Sequence, residues 1–221
     1  MKNFKITWLN ALTHVGALIP LLVLVRDYYA DNLTVNWIQA VEQRTGFIAL
    51  NLLVLSLAST PVQTLTGYRP VHYIRRPLGV WAFAYALLHF LVFSVIDYGW
   101  DWSLLKEAIF EKPYALVGFL TLLILTPLAA TSWKWWKKKL GKGWKKLHQA
   151  VYAAGILVII HYSWAVKGTV LGLQGDIVLP LTYGLIVALL LVMRLPAVKK
   201  QIIRWRMDFQ GWMQTRRGLT G

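Results

Sequence analysis

Cysteine is absent from all 221 residues. Disulfides, iron–sulfur clusters, thiolate ligation and thiol redox chemistry are thereby excluded. Acids are scarce as well, with nine Asp and Glu against 24 Lys and Arg. Charge of either sign is thin at 15%, whereas 57% of the residues are hydrophobic and the mean hydropathy is +0.50. A soluble domain of this size cannot bury that much apolar surface, but a bilayer solvates it. Long polar stretches are few, which leaves no room for a second globular domain.

Six apolar stretches are present, at about 9–25, 46–61, 78–96, 114–130, 151–166 and 177–195. Each approaches the roughly 17–25 residues needed to cross a hydrocarbon layer of about 30 Å. The sequence therefore predicts an all-α six-transmembrane bundle over 9–195, with a short cytoplasmic segment at 1–8 and a basic tail at 196–221. The first stretch follows Lys2 and Lys5, lacks a small-residue cleavage site and runs into Arg26-Asp27, so no cleaved signal peptide is expected.

The net charge of +15 resembles a nucleic-acid footprint until it is mapped. With the N-terminus inside, the inner segments hold 19 of the 24 basic residues and the outer segments hold eight of the nine acids. Those acids are Asp27, Asp31, Glu42, Asp97, Asp101, Glu107, Glu111 and Asp176. The opposite orientation violates the positive-inside rule. Both termini are expected in the cytoplasm, membrane lipid accounts for the charge, and no nucleic-acid partner is called for.

Three histidines lie in or beside apolar stretches: His89, His148 and His161. An ionisable or metal-ligating group at membrane depth is costly and marks a functional site. Depth follows from the basic residues at the inner edge. His89 lies 13 residues beyond Arg76, and His161 lies 13 beyond His148. At 1.5 Å per residue both stand about 20 Å from the inner boundary. If spans three and five pack side by side, their neutral imidazoles can sandwich one heme iron near the outer leaflet. His148 then marks an inner site for a second heme or another cofactor. Thirteen residues of regular helix would leave His148 and His161 about 140° apart, so either the two sites are angularly offset or the helix is irregular near His148.

Other features have plainer readings. His14 reads as a hydrogen-bonding group between helices, and His72 as a solvated or interfacial residue. Aromatic flanks at Trp81, Phe83, Tyr85, Phe90, Tyr152, Tyr162 and Trp164 suit a flat cofactor but are also ordinary membrane residues. Arg75 and Arg76 stand where they can meet heme propionates, or serve only as positive-inside charge. Thr60-Pro61 and Thr126-Pro127 predict helix ends or kinks. The Trp- and Lys-rich segment 133–146 reads as an interface belt, with a phosphate-bearing cofactor or an acidic partner as the alternative. The tail, with Lys199, Lys200, Arg204, Trp205, Arg206, Phe209, Trp212 and Met213, reads as an amphipathic helix on the anionic inner leaflet, with a docking surface for a soluble electron donor as the alternative. No convincing internal repeat is apparent.

The run from Arg75 through Arg76-Pro77-Leu78-Gly79-Val80-Trp81 to Tyr85 and His89 resembles the third span of the MsrQ-type heme-binding membrane subunits of bacterial protein-methionine-sulfoxide reductase systems. Lys112-Pro113-Tyr114, Gly118, Pro127-Leu128-Ala129 and Thr131-Ser132 are similar to the same family. So are Leu140-Gly141, Trp144, Leu147-His148, Val151-Tyr152 and His161-Tyr162-Ser163-Trp164. The resemblance covers essentially the whole chain. It implies a ferric-reductase-like transmembrane domain in the bacterial inner membrane, carrying one or two b-type hemes. The family's heme histidines fall on His89, His148 and His161, with His89 and His161 on the outer iron and His148 on the inner. Flavin mononucleotide is a further implied cofactor. The implied donor is quinol or a cytoplasmic flavin reductase. The implied acceptor is a periplasmic molybdopterin reductase of MsrP type that repairs oxidised methionine in envelope proteins.

Ferric reductases carry two histidines on the third span, whereas here His89 stands alone, leaving His72, His14 or Arg76 as guesses opposite His148. No catalytic residue is expected in this chain, which acts as an electron-transfer subunit. A stand-alone ferric or quinone-linked reductase is the alternative within redox proteins. A small transporter with proton-relay histidines is the alternative outside them.

Overall fold

The computed structural model describes residues 8–166 and 177–218, all of them in helices or the turns between helices. Lys2, Lys5, Lys167 and Asp176, which entered the charge count, lie outside the described residues. The helices are α1 (Trp8–Tyr29), α2 (Trp37–Thr66), α3 (Val71–Leu91), α4 (Trp102–Glu111), α5 (Pro113–Ala130), α6 (Lys134–Leu140), α7 (Lys142–His148), α8 (Val151–Ala165), α9 (Val178–Val192) and α10 (Pro196–Gly218). A six-residue π-helical segment, Val92–Asp97, continues α3 outward. Every predicted apolar stretch is helical. Four helices are long and apolar enough to cross a membrane, namely α1, α2, α3 with its π continuation, and α5; α9 with α10 would be a fifth if that bent pair is one span. At 15 residues each, α8 and α9 measure roughly 22 Å, less than the hydrocarbon thickness. The chain is a multi-pass membrane protein.

Local chemistry sets the helix ends. Asn36 caps α2 by accepting from the Gln39 amide at 3.1 Å, and Gly67, with φ at +73°, closes its other end. Asp101 caps α4 through the amides of Ser103 and Leu104. Pro113 opens α5, where its missing N–H costs nothing.

α2 begins well before its apolar stretch, so Glu42 sits inside a helix, its Oε1 buried and without a partner among the described residues, and is not in a solvated loop. Asp27 is likewise buried, bridged to Arg44 of α2 at 2.6 Å and to Arg26 at 2.8 Å.

The Thr-Pro pairs do not end their helices. α2 runs through Pro61 to Thr66, and α5 through Pro127 to Ala130. Proline at 61 removes the amide that would bond the Leu57 carbonyl. Arg194 fills the vacancy by donating its Nη2 to that oxygen, with Nη1 on the Tyr152 hydroxyl. The Thr60 hydroxyl, the local group that could have satisfied a freed carbonyl, is buried and has no partner among the described residues.

The core is built on the α2–α3 interface. Ala49, Leu52, Leu53, Leu78, Ala82 and Tyr85 are buried there, with Ala17 from α1 and Ala154 from α8. Small residues let the two backbones approach. Ser56 donates to the Arg75 carbonyl at 2.9 Å, and a side chain at Gly79 would touch that same hydroxyl oxygen. Tyr85 ties α3 to α1 by donating to the Ala17 carbonyl at 2.6 Å. The other principal packing pairs are α5 with α8, α8 with α9, and α3 with α5. α3 and α8, expected side by side, are not among them.

Candidate functional site

Across that separation the two deep histidines meet. The imidazoles of His89 on α3 and His161 on α8 face one another with ring centroids 6.1 Å apart and planes at 74°. Each ring is held in the same way. His89 Nδ1 lies 2.9 Å from the Glu42 carbonyl, and His161 Nδ1 lies 2.8 Å from the Tyr114 carbonyl. A carbonyl only accepts, so Nδ1 carries the proton in both rings. Nε2 of each keeps its lone pair for a ligand. Main-chain oxygens thus fix the tautomer that metal ligation requires.

The helix facing each ring is notched to admit it. Gly46 follows Glu42 by one helical turn, and a Cβ there would lie 3.2 Å from His89 Nδ1. Gly118 follows Tyr114 by one turn, and a Cβ there would lie 2.7 Å from His161 Nδ1 and Cε1. In both halves the histidine lies 47 residues beyond its carbonyl. Carbonyl, glycine and imidazole therefore recur as a set, on α2–α3 and again on α5–α8. Gly118 stood out in the sequence only as a residue of the family pattern, with no role beside a histidine, Gly46 did not stand out at all, and no repeat was apparent. The signal was the equal spacing of Gly46 to His89 and of Gly118 to His161.

His148 ends α7 at the opposite, basic end of the bundle. The helix breaks at Gln149–Ala150 before α8 begins, so the irregular alternative for this segment is the one found. The ring stacks on Trp144 at 4.0 Å and 29°, and its Nε2 meets the Thr131 hydroxyl at 3.1 Å. That hydroxyl already donates to the Pro127 carbonyl at 2.6 Å, so His148 Nε2 is the donor to Thr131 and Nδ1 is left as the free nitrogen. Burial lowers the pKa of His148, nearby Arg75 lowers it further, and the main chain of Thr131 opposes both.

The other expectations divide. His14 accepts from Trp81 Nε1 at 2.9 Å and joins α1 to α3. His72 is exposed beside Tyr73, and Arg76 is exposed as well. Arg75, half-buried, is the arginine whose charge reaches His148. Tyr85, Trp81 and Tyr152 are occupied by Ala17, His14 and Arg194 respectively. The ring that does stand near a deep histidine is Tyr114, 6.4 Å from His161. An apolar groove of about 400 Å³ runs between α5 and α7–α8, lined by Leu120, Ile124, Pro127, Leu147, Ala150 and Leu157 among others. It leads from beside His148 to one turn short of His161.

The family of ferric reductase like transmembrane components matches residues 44–159, a stretch that holds Gly46, His89, Gly118 and His148. A protein of Xanthomonas axonopodis pv. citri is 37% identical over 188 residues, covering 82% of this chain and 83% of its own. A protein of Bordetella pertussis is 39% identical over 167 residues, covering 76% and 79%. One of Xanthomonas campestris pv. campestris is 35% identical over 196 residues, covering 86% and 87%. All three are named protein-methionine-sulfoxide reductase heme-binding subunit MsrQ. No solved structure matches the chain.

Proposed function

The chain belongs to the MsrQ family of heme-binding subunits, within the ferric reductase like transmembrane components, and we propose that it carries electrons across a membrane to a methionine sulfoxide reductase. The observation behind this reading is the 6.1 Å opposition of two imidazoles, each with its Nδ1 held by a main-chain carbonyl. Two metal–nitrogen bonds of about 2 Å, plus the distance from each nitrogen to its ring centre, come to roughly 6 Å. The spacing therefore fits one heme iron between His89 and His161. Heme b supplies reversible one-electron chemistry at that iron.

The residues of this chain do the rest. Gly46 and Gly118 leave room for the two rings, and the carbonyls of Glu42 and Tyr114 hold Nε2 unprotonated. Leu120, Ile124 and Leu157 line the apolar groove between the two levels. At the basic end, His148 and Arg75 form the inner site, where a second heme or flavin mononucleotide would be held, with Arg76 beside it. The fold crosses the bacterial inner membrane six times with both termini in the cytoplasm. The donor is quinol or a cytoplasmic flavin reductase. The acceptor is a periplasmic molybdopterin reductase of MsrP type, which repairs oxidised envelope proteins.

Purified protein should show the visible spectrum of six-coordinate b heme. His89→Ala and His161→Ala should each abolish the same signal. A full six-coordinate spectrum in either variant would refute the pairing, and absence of heme from the wild-type protein would favour the proton-relay transporter. Co-purification with a molybdenum enzyme separates the subunit from a stand-alone reductase.

A further inference from the structure

α10 leaves α9 through an 81° bend, so a helix that continues an apolar one turns to run nearly across it. Its 23 residues extend about 34 Å. They hold six basic residues and one acid, Asp208. At 100° per residue, Val198, Ile202, Trp205, Phe209 and Trp212 fall within an arc of about 80°. Trp205, Phe209 and Trp212 are 65%, 58% and 52% exposed, while Lys199, Lys200 and Arg204 lie exposed outside the stripe.

Arg206 sets how this helix sits. It donates to the Thr64 carbonyl at 2.9 Å, in the last turn of α2, where unpaired carbonyls gather negative partial charge. A side chain at Gly67 would come within 3.3 Å of the same guanidinium. Arg206 stands about 80° round the helix from the centre of the stripe, so the clamp grips one flank of α10 and leaves Trp205, Phe209 and Trp212 exposed.

A second basic and aromatic segment occupies the same end of the molecule, since His148 of α7 lies within reach of Arg75 at the start of α3. Lys139 lies over the rings of Trp135 and Trp136, and Lys137 over Trp144. Trp133 and Trp135 are also exposed.

We infer that α10 is an interfacial anchor that binds anionic phospholipid. Its tryptophans and Phe209 sit at the acyl boundary, and Lys199, Lys200 and Arg204 meet headgroup phosphates. The composition selects lipid over a soluble protein. Protein interfaces deplete lysine, whereas rings interleaved with lysine are the signature of the headgroup layer. A helix turned nearly at right angles to an apolar one lies in the plane of that layer. Clamped to α2 by Arg206, the anchor holds the basic end of the bundle at fixed depth.

The absence of cysteine makes the test direct, because one introduced cysteine takes a spin label alone. Full-length Phe209→Cys and Met207→Cys, the latter on the opposite face, are labelled and reconstituted into discs. The discs contain phosphatidylcholine alone, or phosphatidylcholine with one third phosphatidylglycerol. In the anionic discs the label at 209 should be open to oxygen and shielded from an aqueous nickel chelate, while the label at 207 stays open to nickel. Adding Lys199→Gln, Lys200→Gln and Arg204→Gln should lower the inserted-to-free ratio at 209 by about fivefold per charge. If the triple variant does not fold, Arg204→Gln alone carries this arm. Equal nickel access at both sites, or insertion indifferent to phosphatidylglycerol, overturns the proposal. So does shielding at 209 that appears only when soluble protein is added.

Discussion

Gly118→Ala is expected to break heme ligation while barely changing the stability of the bundle. A Cβ at this position would lie 2.7 Å from two atoms of the His161 ring. Optimal non-bonded contact begins near 3.5 Å, so the ring must retreat by about 0.8 Å. It cannot swing freely, because Nδ1 is bonded to the Tyr114 carbonyl one turn away. A functional constellation tolerates displacements of about 0.5 Å. At Gly46 the corresponding Cβ stands 3.2 Å from the His89 ring, and about 0.3 Å of movement relieves it. The magnitudes therefore rank the two glycines: alanine at 118 exceeds the tolerance and alanine at 46 does not. Overpacking of this kind costs about 1–3 kcal/mol, which in the ligation equilibrium is roughly 5- to 150-fold. Alanine for glycine inside a helix returns about 1 kcal/mol of propensity, so the unfolding midpoint should move little. The assay is heme content per chain with the absorption spectrum of the purified variant, read beside thermal unfolding. A Gly118→Ala protein with the wild-type spectrum would refute the reasoning, as would a Gly46→Ala protein more damaged than Gly118→Ala.

Other perturbations follow from the same geometry. Arg194→Met should destabilise the protein by about 1–3 kcal/mol by leaving the Leu57 carbonyl unpaired, and Pro61→Ala should rescue it by restoring the missing amide, as measured by a double-mutant cycle on unfolding. Equal losses in the two backgrounds would show that Arg194 does not substitute for that amide. His148→Ala should leave the signal of the His89–His161 pair intact and remove a second heme signal or the bound flavin; unchanged contents of both heme and flavin would displace His148 from the inner site. Gly79→Ala should be nearly neutral, because its Cβ meets Ser56 Oγ at an ordinary 3.4 Å, whereas Gly79→Leu should cost at least about 1–3 kcal/mol by forcing α2 and α3 apart. Unfolding midpoints of the two variants check the contrast.

Depth was legible in the sequence because it is one-dimensional. Basic residues mark one boundary of the membrane, each helical residue advances by 1.5 Å, and so His89 and His161 could be placed at the same level. Rotation about the helix was not legible in the same way. The break at Gln149–Ala150 between His148 and His161 has neither proline nor glycine to announce it. The glycines had the wrong appearance for a site, carrying no functional group, so Gly46 passed as an ordinary membrane residue and Gly118 as a family residue without a role. Pro61 misled in the opposite direction. Local chemistry argued for a helix end or kink there, but the guanidinium of Arg194, in the turn between α9 and α10 more than a hundred residues later, supplied the lost hydrogen bond. Glu42 was counted among outer-loop acids because it precedes the apolar run, whereas α2 had already begun at Trp37.

Both imidazoles are anchored to peptide oxygens, which neither titrate nor change rotamer. A carboxylate in that role would make ligand basicity follow acidity of the medium and drift with every substitution at one codon. Here the orientation of the rings is written into helix geometry itself. On the proposed ligation by His89 and His161, variation between relatives in redox behaviour should therefore arise from the shape and dryness of the surroundings rather than from the groups that hold the two rings.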